Sequence, residues 1–244
     1  MKESDYDNEN IFEKYSQMDR SKRGLEGAGE WQTLKKLLPD FQGKKVLDLG
    51  CGYGWHCIYA LEQGASSVVG VDLSEKMLEV AKKQTTSKKV EYIHSDIEDI
   101  SFAENTFDIV LSSLTLHYIE SFSDIAKNVH RYLKGDGVFV YSVEHPIFTS
   151  DGNQVWIYSE DGSIAHFPVD NYFYEGKRAT NFLGENVTKY HKTLTTYVDG
   201  LLKNGFHINR IVEPMPPENM INVPGMKDEL RRPMMLIVSA TNEK

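Results

Sequence analysis

Val46-Leu47-Asp48-Leu49-Gly50-Cys51-Gly52-Tyr53-Gly54 decides the reading of this chain. A short apolar run ends in three glycines at alternate positions, and from Trp55 the apolar residues take helical spacing. The stretch therefore predicts a strand, a sharp turn and a helix. Glycine has no Cβ, so the turn can be tight and a ligand can lie against its backbone. Two details narrow the ligand. A dinucleotide-binding turn needs its third glycine at position 55, which is Trp55. Asp48 stands just before the first glycine, where a carboxylate repels a pyrophosphate but suits a cationic amino group.

The pattern repeats downstream. Residues 67–71 form a second apolar run that ends in Asp72. Ser74 can cap a helix through residue 83, with Met77, Leu78 and Ala81 facing inward. Strands follow at 90–94 and 107–113, then a helix over 121–133 and a fifth strand over 138–143 after the turn Gly135-Asp136-Gly137. Alternating strands and helices imply right-handed crossovers and a parallel sheet. Helices on both faces require nearly all-apolar strands, as in Val46-Leu47, Val68-Val69 and Ile109-Val110-Leu111.

Upstream, a short helix is expected over 11–18 and another over 30–38, stopped by Pro39. After residue 143 the texture becomes aromatic, with Phe148, Trp156, Tyr172 and Tyr190 among others. Glu160-Asp161-Gly162 predicts a hairpin between 154–159 and 163–169. A helix over 193–204 and strands over 206–212 and 234–240 close the chain.

The 244 residues are enough to bury a core without disulfides. A net charge of −9 and a pI near 5.4 disfavour a nucleic-acid partner, because the basic runs are short. Cys51 and Cys57 form no disulfide framework and read as buried thiols, which with the polar start at residues 1–10 suggests a cytoplasmic protein. No run has the length of a membrane span, and no histidine or acid spacing suggests a metal.

The glycine stretch resembles the first motif of the class I S-adenosylmethionine-dependent methyltransferases. Asp72 resembles the acid that receives the two ribose hydroxyls. Leu73-Ser74-Glu75-Lys76-Met77 resembles the segment that follows it, with Met77 on the adenine. Asp96-Ile97 resembles the pair that binds the adenine amino group and covers the ring. Residues 107–118 resemble the fourth strand and its exit loop, with Ser112 and Leu114 on the methionine side, and residues 132–137 the turn before strand five. The resemblance covers residues 45–143. It implies an α/β fold, a Rossmann-like seven-stranded mostly parallel sheet of order 3-2-1-4-5-7-6 with the last strand antiparallel. It also implies S-adenosylmethionine as cofactor and S-adenosylhomocysteine as product. The cofactor residues it implies are Asp48, Gly50, Cys51, Gly52, Gly54, Asp72, Leu73, Met77, Asp96, Ile97, Ser112, Leu114 and His117. Tyr15, with Met18 and Arg23, sits where N-terminal segments of such enzymes fold over the cofactor.

Four segments are expected: 1–40 covering the cofactor, 41–143 as the cofactor-binding core, 144–192 as a β-rich aromatic insertion capping the substrate, and 193–244 closing the core. His117 and His145 are the catalytic candidates, since histidine titrates near neutrality. Each has a structural alternative, His117 as a buried residue orienting its loop and His145 as part of a turn. His191 with Arg178 reads as a surface pair or as a substrate anchor. The expected activity is methyl transfer to an O or N atom of a small molecule. Ser112-Ser113-Leu114 lacks the Pro-Pro pair of the adenine-N6 and glutamine enzymes, and Glu144-His145-Pro146 resembles a bacterial subgroup. A noncatalytic cofactor-binding module is the alternative, and a nicotinamide-dependent oxidoreductase is a weaker one. The acceptor and the oligomeric state are not readable from the sequence.

Overall fold

Helices and strands alternate along residues 4–244, the part of the chain described by a computed structural model. Residues 1–3 of the expected N-terminal cover lie outside the described residues. Three short helices come first: α1 (Glu9–Ser16), α2 (Asp19–Lys22) and α3 (Trp31–Leu34). Then follow β1 (Lys45–Leu49), α4 (Trp55–Glu62), β2 (Ser67–Asp72), α5 (Glu75–Gln84), β3 (Val90–His94), β4 (Phe107–Ser113), α6 (Phe122–Tyr132) and β5 (Leu133–Glu144). Beyond β5 come α7 (Pro146–Thr149), the hairpins β6 (Ile157–Tyr158) with β7 (Ile164–His166) and β8 (Gly176–Phe182) with β9 (Glu185–His191), then α8 (Leu194–Leu202), β10 (Phe206–Val212) and β11 (Met235–Asn242).

The main sheet has the order β3-β2-β1-β4-β5-β11-β10. Neighbours from β3 through β5 are parallel, and β11 runs antiparallel to both β5 and β10. This is the expected 3-2-1-4-5-7-6 order. Successive strand residues point to opposite faces, and both faces are covered. Val46 joins Trp31, Cys57, Ala60 and Leu78 on one side. Leu47 and Leu49 join Ile125, Val129, Tyr197 and Leu201 on the other. Val46, Leu47 and Leu49 are all buried, and a near-continuous apolar run covered on both faces is the signature of a central parallel strand.

Three local expectations change. The helix over 30–38 is only the four residues of α3, which tighten into a 3-10 turn at Lys35–Leu37. The hairpin about Glu160-Asp161-Gly162 pairs over two and three residues rather than six and seven. A longer hairpin, β8–β9, was not expected. Its turn is Leu183-Gly184, both at positive φ (57° and 87°). Leucine in place of the usual Asn or Asp hides that turn from the sequence.

Candidate active site

The glycine turn lies at the carboxyl end of β1, where open α/β sheets bind ligands. The amides of Gly50 and Cys51 both donate to the Val71 carbonyl (2.8 and 3.0 Å), which locks the turn against β2. Gly50 has φ +76°, and a Cβ there would stand 2.1 Å from Thr115 Oγ1 on the β4 exit loop. Gly52 has φ +51° and no neighbouring atom within 4 Å of where its Cβ would be. The turn is therefore crowded where it touches the fold and open at its crest, a cradle for a ligand against bare backbone.

Asp72 ends β2 and faces this crest. Its Oδ2 accepts from the Gly52 amide at 2.7 Å and its Oδ1 from the Ser74 amide at 2.9 Å. Each oxygen takes one donor and keeps a lone pair for another. Burial raises the Asp72 carboxyl pKa, and the two amides oppose that shift. Asp48 is 1% exposed. Its Oδ2 accepts a weak bond from Cys57 Sγ at 3.4 Å, and its Oδ1 is buried with no donor. Burial pushes its pKa up to about 7, with the Cys57 thiol pulling the other way. A buried carboxylate without a cation is costly, and the ammonium of a bound amino acid would remove that cost.

Met77 and Ile97 are buried beside the same edge, and Leu73 gives its carbonyl to His94 Nε2 at 2.9 Å. Asp96 is buried and receives the Glu98 amide at 2.9 Å. On the β4 side the Ser112 hydroxyl donates to the Leu49 carbonyl at 2.8 Å, and Leu114 adopts φ +52° with its amide held by the Ser142 carbonyl at 2.9 Å. The Thr115 hydroxyl reaches the Gly50 carbonyl at 3.3 Å. The β1 and β4 exits are thus bonded into one surface.

His117 is buried, and its Nδ1 accepts the Glu144 amide at 3.4 Å. Burial drives its pKa down to about 3, so the ring is neutral with its proton on Nε2. His145 is also buried. Its Nδ1 accepts the Ile147 amide at 3.1 Å and caps α7, and its Nε2 lies 2.9 Å from Glu213 Oε1 in an oblique approach that leaves it without a well-formed hydrogen bond. Burial lowers the His145 pKa against the pull of Glu213. Both rings therefore present N–H donors at Nε2 rather than free lone pairs.

Several site residues carried no readable signal. Lys189 is 1% exposed, and its Nζ contacts Glu144 Oε1 (2.6 Å) and Gln154 Oε1 (3.0 Å), while Gln154 Nε2 donates to Glu144 Oε2 at 2.6 Å. Burial opposes ionisation of Glu144, but His117 and Lys189 together hold its pKa below the usual range. Because His117 is itself neutral, the ammonium carries that effect. Lys192, also buried, donates to the carbonyls of Leu116, Ile119 and Tyr190. It ties the loop that carries His117 and Tyr118 to β9, and burial lowers its pKa to about 8.

The N-terminal segment closes over this edge. Asp7 Oδ1 accepts from the Ser74 hydroxyl (2.6 Å) and the Lys76 amide (3.2 Å) at the start of α5. The Tyr6 and Tyr118 hydroxyls are 3.0 Å apart. Tyr15 packs edge-on against Tyr6 and Tyr53, at 5.3 and 5.7 Å between centroids. The tip of β8–β9 meets α1 through Lys14 Nζ to the Leu183 carbonyl (2.7 Å) and Asn10 to Glu185 (3.2 Å). Tyr15 thus packs inward beside the glycine turn. Arg23 does not: it is on the surface beside Asp19, and Arg20 is the arginine that turns inward, held by Glu30 at 2.9 Å. His191 and Arg178 are not a surface pair either. His191 is buried between Thr149 Oγ1 and the Tyr172 carbonyl, both at 2.8 Å, and Arg178 donates to the carbonyls of Ser150, Asn171 and Tyr174. Both hold the insertion together. No helix among the described residues is long and apolar enough to cross a membrane.

Comparison with known proteins agrees with this geometry. A family model for a methyltransferase domain matches residues 47–141. A Listeria monocytogenes crystal structure bearing the name of an S-adenosylmethionine-dependent methyltransferase is 57% identical; it superposes with a TM-score of 0.87 over 91% of this chain and all of its own. An S-adenosylmethionine-dependent methyltransferase from Mesorhizobium loti is 40% identical, with a TM-score of 0.83 over 89% of this chain and all of its own. A relative of unassigned role from Haemophilus influenzae is 36% identical over 96% of this chain and 95% of its length. The bare crest at Gly52, the buried acid at Asp72 and the donorless Asp48 oxygen are compatible with such a cofactor, and the chain belongs to the S-adenosylmethionine-dependent methyltransferases.

Proposed function

We propose that this methyltransferase modifies an O or N atom of a small molecule held at the exits of β4 and β5. The observation that carries this reading is the double cover. The N-terminal segment packs Phe12 and Tyr15 on Tyr53 of the glycine turn, and the tip of β8–β9 meets that segment through Lys14 and Asn10. An enclosed site of this kind suits a small acceptor and excludes water, whereas a polymer needs an open groove.

In this reading, the cofactor supplies a sulfonium-activated methyl group. The chain's own work is to bind and to orient. Asp48 and Asp72 would hold the ammonium and the ribose, Asp96 and Ile97 the adenine, and Ser112 and Leu114 the methionine side. Arg20, held by Glu30, would face the carboxylate. Orientation of two reacting partners is itself worth several powers of ten in rate. His117 acts as a neutral donor toward the acceptor, since its Nδ1 is taken by the Glu144 amide, and His145, whose Nε2 faces Glu213, orients α7 at the same rim. Tyr118 and Glu144 complete the rim. The 144–192 segment serves as substrate cap and 1–40 as cofactor cover.

The experiment is a screen of small amines, phenols and hydroxy compounds with methyl-labelled cofactor. The reading expects label in one acceptor class of low mass. Label incorporated only into RNA, DNA or protein would overturn it.

A further inference from the structure

Farther along the same edge, beyond β5, the surface opens into a second hollow. There a cleft of about 300 Å³ is lined by Ile147, Trp156, Phe167, Val169, Pro233 and the side chains of His166, Arg231 and Arg232. That volume is at the lower end for small-ligand sites, and an apolar lining with few polar groups is their usual character.

Its position ties it to the acceptor rim. Ile147 belongs to α7, and its amide is bound by His145 Nδ1. Pro233 precedes Met234, whose carbonyl receives the His145 amide at 2.8 Å. The cleft therefore begins within one helical turn of the rim, about 5 Å of chain.

Its charge is opposite to that of the chain. The protein carries −9 overall, yet no carboxylate lines the cleft. Arg232 is 8% exposed and lies 4.5, 4.6 and 4.9 Å from the rings of Phe148, Phe167 and Trp156. Glu229 takes its Nη atoms at 2.7 and 3.2 Å, and its Nε is buried without an acceptor. Arg231 sits over Trp156 at 5.3 Å and donates to the carbonyls of Ile164 and Ala165; its carboxylate neighbour, Asp228, is no closer than 3.7 Å. Arg232 is thus a closely paired structural support, while Arg231, 39% exposed, is only loosely paired with Asp228 and keeps its guanidinium at the cleft surface. Trp156 and Phe167 stand edge to face at 5.3 Å and 81°, with Phe148 stacked on Phe167 at 5.7 Å, and Trp156 and Phe167 line the cleft as part of one aromatic wall.

We infer that this cleft binds the far end of the methyl acceptor, and that this end is an aromatic carboxylate. The inference rests on the small-molecule reading above. The ring packs on Trp156 and Phe167, and the carboxylate pairs with the Arg231 guanidinium. The reacting atom then lies toward His145 and the cofactor.

The test is calorimetric titration of the full chain with naphthoate, with its uncharged amide, and separately with S-adenosylhomocysteine. Naphthoate should bind about tenfold or more tighter than the amide, as loss of one charge-assisted pair requires. Val169→Glu, at a half-exposed position in the lining, should weaken naphthoate by a similar factor and leave S-adenosylhomocysteine unchanged. Arg231→Gln should do the same. Equal binding of acid and amide, or naphthoate binding indifferent to both variants, would overturn the inference. Binding of S-adenosylhomocysteine with no binding of naphthoate would overturn the inference alone. Failure of S-adenosylhomocysteine to bind would instead overturn the reading beneath it.

Discussion

The Gly52 amide donates to Asp72 Oδ2 at 2.7 Å, so one hydrogen bond joins the crest of the glycine turn to the acid that ends β2. Asp72 therefore holds the turn, and in the proposed reading it also receives the ribose. Asp72→Ala should weaken S-adenosylhomocysteine at least tenfold, since a charge-assisted hydrogen bond contributes about 1.5–3 kcal/mol. Calorimetry reads the change directly, and an unaltered Kd would remove the ribose assignment.

Asp48 predicts a pH dependence. Its pKa is raised to about 7 in the free protein, chiefly by burial. The cofactor's ammonium favours the ionised form, so binding below pH 7 must expel a proton. Affinity for S-adenosylhomocysteine should rise with pH up to about 7 and then level. Stability of the free protein should run the other way. The folded state holds this proton more tightly than an unfolded Asp of pKa about 3.9, so stability is full at the acid end and falls as pH rises through about 7. Asp48→Asn should flatten both profiles, and a flat wild-type binding profile would contradict the assignment.

Gly50 tests the turn itself. At φ +76°, with Thr115 Oγ1 2.1 Å from a built Cβ, Gly50→Ala meets both strain and a clash. Backbone strain of this kind costs about 1–3 kcal/mol, and the clash adds to it. Thermal denaturation should show a clear loss, and Gly52→Ala, which meets no neighbour within 4 Å, should lose less stability.

The cover predicts a kinetic effect. Asp7 holds the N-terminal segment to α5 through Ser74 and Lys76. Asp7→Ala should speed S-adenosylhomocysteine dissociation several-fold in stopped-flow measurements. An unchanged off-rate would mean that the segment does not gate the site.

His145 separates a cap from a base. His145→Ala should lower stability by about 0.5–2 kcal/mol, the usual cost of losing a helix cap. His145→Asn, which can still cap α7, should restore most of it. With an acceptor in hand, turnover that recovers with Asn supports orientation, and turnover that stays lost supports proton transfer.

Much of the fold could be read because its signals are local. Lys45–Leu49 and Phe206–Val212 are bounded by glycines or turn residues and match the observed strands. The strand order came with the family resemblance, since strand pairing is not a local property. The β8–β9 hairpin was missed because Leu183 gives no turn signal at positive φ. At the site, the acids and glycines of the cofactor edge stood out by their spacing. Lys189, Lys192, Tyr6, Asp7 and Arg20 did not, because each reaches the site from a distant part of the chain. His191 looked chemical in sequence and proved to be an internal brace.

The most direct measurement is calorimetric titration of the purified chain with S-adenosylhomocysteine beside NAD(H) and NADP(H). The account predicts micromolar or tighter binding of the adenosyl ligand and none of the nicotinamides. Preference for a nicotinamide, or no adenosyl binding, would contradict the placement of the cofactor on Asp48, Gly52 and Asp72.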